Sequence, residues 1–342
     1  MMSLKKNRIF LYDNLERQLL IFLLISELNN NIYICYEKNE YKMKKLFGRK
    51  VVLKERIFEN KMLNFIFMQL YIKKTRKILE NEIKKIKTED TELFGSDIFW
   101  FGKELFYKEK IYVLEDGTAN YMKNEIREKN RKKISEILKR CIKNIFGLGI
   151  RQGEAGYGDK VKKIYLTENL CKEIPKGLEK KAEIINLKKL WDKKTEEEQK
   201  VILDVFDFNP EILKKVNENT VMLFTQPLSE DGVISENEKI ELYSKILEKY
   251  NNQFVIIKPH PREKTDYSIY FSNCYVMKEK YPVEILELVG INIKKAVTIF
   301  SSAAFGLGKN VKIDFYGTEI HKKLFERFGS QDKVMKRNAF LN

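Results

Sequence analysis

The chain has 342 residues, with 65 Lys or Arg against 49 Asp or Glu, so its formal charge is +16 when both histidines are neutral. A hydrophobic fraction of 43% is enough to form hydrophobic cores, which excludes wholesale disorder. Because the length exceeds the roughly 250 to 300 residues at which a single core stops growing, we expect two domains. The surplus positive charge indicates an acidic partner, which is nucleic acid, a nucleotide substrate or anionic lipid.

Neither a disulfide framework nor a structural zinc site is supported. No two of the four cysteines have Cys-x-x-Cys spacing, and they stand at positions 35, 141, 171 and 274. The longest early apolar run, Leu19 to Ile25, is far shorter than the roughly 20 residues of a membrane-spanning helix. We therefore expect a reducing cytoplasm. The lysine-rich helix at 62–87 is interpreted as a solvated face, and a peripheral contact with anionic lipid is the alternative that stays open.

Short runs rich in Val, Ile and aromatic residues predict buried strands at Asn31–Tyr36, Lys50–Leu53, Ile111–Leu114, Lys163–Leu166, Thr220–Thr225, Phe254–Lys258 and Ala296–Phe300. The segments between them, such as 62–87 and 235–249, carry apolar residues at helical spacing. This alternation predicts parallel sheets covered by helices. Because a charged connector follows residue 190, we divide the chain into domains 1–195 and 196–342. The prediction is α/β, with two Rossmann-like domains whose parallel sheets face a central cleft and bind ligands beyond the strands' carboxyl ends.

Two of the predicted strands lead into an acidic-acidic-Gly sequence, Glu115-Asp116-Gly117 in the first half and Glu230-Asp231-Gly232 in the second. The alternative interpretation of both is an ordinary Asp-Gly turn. A carboxylate at the end of a buried strand is a candidate general base, because desolvation raises its pKa. In the second loop, Ser235 and Glu238 have the spacing of a capping box, which leaves Asp231 as the candidate.

The strongest signal is FVIIKPHPRE, residues 254–263. A lone histidine is more often structural than catalytic, but His260 stands between two prolines that fix the backbone and prevent a helix from forming. With Lys258 before it and Arg262 after it, the imidazole can donate to a phosphate. The other histidine, His321, lies in a charged segment and is interpreted as an ordinary surface residue.

A fourth cluster is AVTIFSSAAFGLG, residues 296–308, in which a strand leads into Ser301 and Ser302. Serine is a good N-cap, and that role suffices for one of the two. Hydroxyl and N–H groups at a helix N-terminus also form a phosphate cradle. Because the chain has no Asp-x-Asp sequence to bind a metal, the clusters together predict glycosyl transfer from a nucleotide sugar with a single phosphate, without a metal or other cofactor.

These motifs resemble those of the bacterial sialyltransferases of glycosyltransferase family 52, the lipooligosaccharide sialyltransferase group, over about residues 95–320. The matches are an acidic-acidic-Gly motif, a His-Pro motif and paired serines, which correspond to Glu115-Asp116-Gly117, His260-Pro261 and Ser301-Ser302. The resemblance implies a GT-B fold, a CMP-sialic acid donor, inversion at the anomeric carbon and a terminal galactose of a surface glycolipid or oligosaccharide as acceptor. It places the enzyme in the bacterial cytoplasm or at the inner membrane, and leaves a homodimer open.

On this resemblance His260 protonates or hydrogen-bonds the departing phosphate of CMP, which is also held by Lys258, Pro261, Ser301 and Ser302. The base is Glu115, Asp116 or Asp231, and we favour Asp231 because it is closer in sequence to the histidine. Family members usually open with a strand and a Thr-Pro loop on the acceptor side. This chain begins MMSLKKNRIFLYDNLERQ, so we expect its first strand to be missing or altered.

Three other interpretations stay open. A GT-B enzyme using another nucleotide sugar would carry similar motifs. A basic nucleic-acid-binding protein is supported only by charge, because the chain lacks an RNP-type motif, a zinc finger and an Arg-rich block, and we expect no nucleic acid partner. An inactive relative would keep the nucleotide pocket without turnover.

Overall fold

The computed structural model describes residues 7–53, 63–97, 109–121, 155–308 and 310–331. The chain divides into two compact units, Met1–Val205 and Phe206–Asn342. Their boundary falls ten residues beyond the one we placed from the sequence, at 195/196. Each unit contains one sheet in which all paired strands are parallel.

Seven strands form the sheet of the first unit: β1 (Arg8–Leu11), β2 (Asn31–Tyr36), β3 (Arg49–Leu53), β4 (Glu92–Gly95), β5 (Ile111–Leu114), β6 (Val161–Thr167) and β7 (Ala182–Ile185). Their order is β3-β2-β1-β4-β5-β6-β7. The helices described are α1 (Glu16–Ile25), α2 (Glu40–Lys44), α3 (Leu63–Ile86), α4 (Leu187–Trp191) and α5 (Glu196–Val205). The predicted helix at 62–87 is confirmed as α3, although Met62 lies outside the described residues.

The first strand is present, and it lies in the interior of its sheet. Ile9 of β1 pairs with Ile32 of β2 on one side and with Leu93 of β4 on the other. The expectation that this strand is missing is therefore wrong. A run of only four residues directly after a lysine-rich start gave too weak a signal to be recognised. The loop that follows carries no Thr-Pro, and Asn14 in that loop has a φ of 63°, a left-handed conformation that asparagine tolerates.

Five strands form the sheet of the second unit: β8 (Val221–Phe224), β9 (Val255–Lys258), β10 (Tyr275–Val276), β11 (Lys295–Thr298) and β12 (Lys312–Phe315). Their order is β10-β9-β8-β11-β12. The helices are α6 (Glu211–Lys215), α7 (Glu236–Leu247), α8 (Glu284–Leu288) and α9 (Lys322–Phe328). The predicted capping box starts α7, since the Ser235 hydroxyl accepts from the Glu238 N–H and the Glu238 carboxylate accepts from the Ser235 N–H.

The strand order reverses direction once in each sheet, between β1 and β4 in the first unit and between β8 and β11 in the second. Ligands of open parallel sheets bind at such reversals, outside the carboxyl ends of the strands. In the second sheet Phe224 pairs with both Lys258 and Thr298, so the central three strands end in one row. The loops with Asp231, His260 and Ser302 therefore leave the same edge, and the prediction of two Rossmann-like domains with parallel sheets is confirmed.

The cysteines give no sign of a disulfide. Cys35, Cys171 and Cys274 are free thiols, and Cys141 lies outside the described residues. Within the ranges that the structure describes, no helix is long and apolar enough to cross a bilayer.

Candidate active site

The His-Pro turn after β9 is fixed by a buried carboxylate. Glu263 accepts hydrogen bonds from the His260 backbone N–H and the Thr225 hydroxyl, both at 2.6 Å, and from the Tyr267 hydroxyl at 2.5 Å. Burial raises the pKa of Glu263, against the opposing effect of these hydrogen bonds and of the Lys239 charge. Because Thr225 follows β8, Glu263 joins the beginning of the His-Pro turn to the neighbouring strand.

The hydrogen bond made by the His260 ring determines which of its nitrogens carries the proton. Nδ1 accepts from the backbone N–H of Arg262 at 3.2 Å, so the neutral ring has its proton on Nε2. Burial of the half-buried ring, together with the nearby Arg262 charge, lowers the pKa of His260. The lowered pKa favours the neutral imidazole, in which Nε2–H is the hydrogen-bond donor.

A completely buried lysine ties the loop after β8 to the loop after β9. Lys239 of α7 is 0% exposed, and its Nζ lies 3.0 Å from Glu230 and 3.1 Å from Glu236. Glu230 also accepts from the Lys264 backbone N–H at 2.7 Å. Burial opposes ionisation of Glu230, but the hydrogen bonds from Lys264 and Lys239 lower its pKa to about 2. Glu230, the first acid of the second motif, is thus a structural anchor between the two loops.

Asp231, the second acid of the same motif, is exposed and held differently. Arg262 reaches it with both terminal nitrogens, at 2.5 and 3.0 Å. The arginine side chain is 61% exposed, and an ion pair so exposed contributes only about 0 to 1 kcal/mol. Asp231 can therefore exchange this partner for another at little cost. Both residues line an open pocket of about 880 Å³, a volume that suits a small ligand.

The paired serines lie in different environments. Ser301 is buried and caps the 3₁₀ turn Ser302–Leu307, with its hydroxyl accepting from the Ala303 N–H at 3.4 Å. Its own N–H donates to the Thr298 hydroxyl at 2.8 Å. Ser302 is exposed. Of the two hydroxyls, that of Ser302 is the one presented to solvent beyond the strand end.

Two further predicted phosphate-binding residues flank the histidine. Lys258, the last residue of β9, is half-buried, with its Nζ 5.2 Å from the centre of the Tyr281 ring and 3.5 Å from the Glu279 carbonyl oxygen. Pro261 is exposed on the turn. The Lys258 ammonium group therefore contacts the segment that contains Glu279 and Tyr281.

The first acidic-acidic-Gly motif lies at the end of β5, in the other unit. Its Glu115 is 0% exposed and accepts hydrogen bonds from the Thr167 N–H and the Tyr121 hydroxyl, both at 2.6 Å, and from Arg17 of α1. The Thr167 hydroxyl lies within hydrogen-bond distance of both carboxylate oxygens and adds one further donor. A carboxylate enclosed by so many donors suits a structural role better than that of a base.

The next residue, Asp116, has a different environment. It is half-buried, and its backbone N–H donates to Asn120 at 2.7 Å. Burial raises the pKa of Asp116 to about 6, with Arg17 opposing the shift and the Glu115 and Asp97 charges adding to it. A carboxyl group with a pKa near neutrality, at the carboxyl end of a strand, fits a general base.

The structure reveals anchors that the sequence analysis did not identify. Arg17, Lys239 and Glu263 hold the candidate loops in place. Of these, only Glu263 had a local signal, because a carboxylate three residues after His260 is within reach of the histidine's backbone N–H. His321, interpreted as an ordinary surface residue, is the N-cap of α9 and accepts from the Lys323 N–H at 3.2 Å.

Two parallel α/β sheets with polar loops at their carboxyl edges define a fold class, the GT-B fold. The chain is similar in fold to the GT-B domain of a Photobacterium damselae sialyltransferase, with a TM-score of 0.53, 12% identity and coverage of 94% of this chain and 95% of that one. It is also similar to a 2,6-sialyltransferase of Photobacterium sp. JT-ISH-224, solved with CMP and lactose. The TM-score is 0.57 at 12% identity, over 98% of this chain and 76% of that one.

The particular family follows from the sequence as a whole. The model of glycosyltransferase family 52 matches residues 16–324. An uncharacterised protein of Haemophilus influenzae strain Rd is 40% identical over 265 residues, which are 76% of this chain and 81% of the relative. The chain belongs to glycosyltransferase family 52, and the resemblance seen in its short motifs is confirmed.

Proposed function

We propose that this glycosyltransferase moves sialic acid from CMP-sialic acid to a terminal galactose of a lipooligosaccharide or similar surface glycan, with inversion and without a metal. The observation that carries the proposal is the neutral His260 ring, whose Nε2–H is the hydrogen-bond donor at the carboxyl edge of the second sheet. A donor at this place suits a leaving group with one phosphate. The structural similarity to a sialyltransferase solved with CMP and lactose supports the same donor and acceptor classes.

In the proposed reaction a carboxylate removes the proton from an acceptor hydroxyl, and the acceptor oxygen forms a bond to the anomeric carbon of sialic acid. The bond from that carbon to the phosphate oxygen breaks, and CMP departs with the electron pair. His260 stabilises the charge that develops on the phosphate by donating from Nε2. Lys258 and the Ser302 hydroxyl hold the same group, and Ser301 shapes the turn that presents Ser302.

We propose Asp231 as the base. It lies in the same unit as His260, and its ion pair with Arg262 is exposed enough to open when an acceptor binds. Asp116 is the second candidate because its pKa is about 6, which is closer to the working pH of a base. Glu115 is the least suitable, since donors already surround its buried carboxylate.

The proposal is tested by incubating the full chain with CMP-sialic acid and lactose, and following CMP release and the mass of the product. We expect CMP to form in step with a sialylated product, and an excess of chelator to leave the rate unchanged. Strong inhibition by the chelator would contradict the metal-free mechanism.

A second candidate is a glycosyltransferase that uses another nucleotide sugar, since groups that bind the phosphate do not distinguish one nucleobase from another. Titration with CMP, UDP and GDP separates the two. Tighter binding of UDP or GDP than of CMP contradicts sialyl transfer and supports the second candidate.

A further inference from the structure

The outward side of α3 carries a dense group of lysines. Five exposed ammonium groups lie on this side, those of Lys73, Lys74, Lys77, Lys84 and Lys85. At 100° per residue they fall within an arc of about 120° around the helix, with Lys77 near its centre. Over these 13 residues the arc contains no Asp or Glu. We call this surface the basic face.

Two aliphatic side chains lie among these charges. Leu70 is 47% exposed and Ile78 is 43% exposed, and both point to the same side of the helix as the lysines. They are about 12 Å apart along the axis. The apolar side that α3 needs for its own packing is the opposite one, where Leu79 and Ile83 are buried in the core of the first unit. Leu70 and Ile78 are therefore not part of that core.

The acidic residues of α3 lie at the flanks of the basic face, and one of its five lysines, Lys85, pairs with one of them. Glu80 pairs with Arg76 at 3.0 Å, and Glu82 pairs with Lys85 at 2.6 Å. Among the residues that the structure describes, no carboxylate lies within ion-pair distance of Lys73, Lys74, Lys77 or Lys84.

This arrangement is unfavourable for an isolated helix. Lys73 and Lys77 are four residues apart, and Lys74 and Lys77 three apart, so like charges are neighbours on the helix surface. An anionic partner that covers the whole face would relieve this repulsion.

We propose that the basic face binds the anionic head groups of a lipid bilayer, with Leu70 and Ile78 entering the boundary between head groups and acyl chains. Lysines near a negatively charged membrane surface each add to the attraction, and exposed aliphatic side chains between them add apolar burial. A nucleic acid backbone would satisfy the lysines but offers nothing to the two aliphatic groups. The inference goes beyond the proposed function and does not depend on it, although a glycolipid acceptor would lie in such a bilayer.

The test is sedimentation of the full chain with vesicles of phosphatidylcholine that contain phosphatidylglycerol, compared with vesicles of phosphatidylcholine alone. We expect binding to the anionic vesicles only, and weaker binding as salt is added. The variant K73Q/K74Q/K77Q/K84Q should bind roughly 10²- to 10³-fold more weakly, from about 1 kcal/mol per lysine. A matched control, K172Q/K176Q/K180Q/K193Q, removes the same charge from other exposed positions of the first unit and should bind nearly as well as the wild type.

A second variant keeps the proposal testable if the quadruple variant misfolds. Lys77→Glu changes a single exposed residue at the centre of the face, and should weaken binding roughly tenfold or more. Circular dichroism checks that each variant keeps its helix content. The proposal is overturned if the wild type does not bind anionic vesicles, if both quadruple variants lose binding equally, or if duplex DNA binds the basic face more tightly than these vesicles do. Because no sugar donor or acceptor is present, the result is independent of whether sialyl transfer occurs.

Discussion

We call the two acidic-acidic-Gly motifs, Glu115-Asp116-Gly117 and Glu230-Asp231-Gly232, the two corners, one in each unit. The first residue of each corner makes the same kinds of contact. Glu115 directly follows β5 and Glu230 lies in the loop after β8, and each accepts a hydrogen bond from a backbone N–H of a neighbouring loop or strand. Each also contacts a cation from a helix, Arg17 for Glu115 and Lys239 for Glu230. In both corners the first acid therefore holds the loop in place, which is a structural use of a carboxylate.

The second residue differs between the corners. Asp116 is half-buried with a pKa of about 6, whereas Asp231 is exposed beside a pocket and paired with Arg262. The glycine after each has a positive φ, 87° for Gly117 and 66° for Gly232. The backbone before it differs, because the Asp231 N–H donates to the Pro227 carbonyl oxygen whereas the Asp116 N–H donates to the Asn120 side chain. The comparison teaches that the same three residues occur in two different local structures, and that the surroundings decide what the aspartate is able to do.

The sharpest test of this comparison is to replace each aspartate by asparagine. Asp231→Asn should lower kcat for sialyl transfer by roughly 10²- to 10⁴-fold, the usual contribution of a positioned base, and Asp116→Asn should leave most of the activity. Initial rates of CMP release at saturating donor measure both. The reverse pattern, with wild-type kcat losing about tenfold per pH unit below about 6, would move the role of base to Asp116.

The next effect concerns the cations that hold the two glutamates. Lys239→Met leaves the Glu230 carboxylate without its buried partner and should lower the free energy of unfolding by about 3 to 5 kcal/mol. Arg17→Met should act similarly on Glu115. Urea denaturation measures both, with Lys245→Met as the control, because Lys245 lies on the same helix as Lys239 but is exposed. A change below about 0.5 kcal/mol at Lys239 would show that the second corner is not anchored in this way.

A smaller effect distinguishes the two aspartates through stability. The pKa of Asp116 rises from 3.8 to about 6 on folding, so the folded state binds the proton more tightly. Its stabilising contribution is complete below pH 3.8 and is lost as the pH rises to about 6, a change of about 3 kcal/mol. Asp116→Asn should therefore raise the free energy of unfolding at pH 7 by up to that amount. A pH-independent difference between Asp116→Asn and the wild type would contradict the raised pKa.

Local signals in the sequence predicted much of the scaffold of the candidate site. The cap at Ser301 and the capping box of Ser235 and Glu238 were predictable because each joins residues two or three apart. The strands before the acidic-acidic-Gly and His-Pro motifs were predictable because they are buried runs of Val, Ile and aromatic residues. Strands β1, β4, β7, β10 and β12 were missed. β10 has only two residues, and β12 is half-exposed at a sheet edge.

The contacts that distinguish the two corners had no signal in the sequence. Arg17 and Glu115 are 98 positions apart, and Lys264 is 34 positions from Glu230. Only the folded chain brings such pairs together. The different surroundings of Asp116 and Asp231 follow from these long-range contacts and from burial, so two identical motifs gave the same expectation and have different environments.

The most direct test of the central claim is the rate of CMP release from CMP-sialic acid, with lactose as acceptor, by His260→Ala. His321→Ala is the matched control, because His321 also accepts a backbone N–H two residues ahead but serves as the N-cap of α9. We predict a loss of roughly 10²- to 10⁴-fold for His260→Ala and an unchanged rate for His321→Ala. A wild-type rate in His260→Ala would contradict the account.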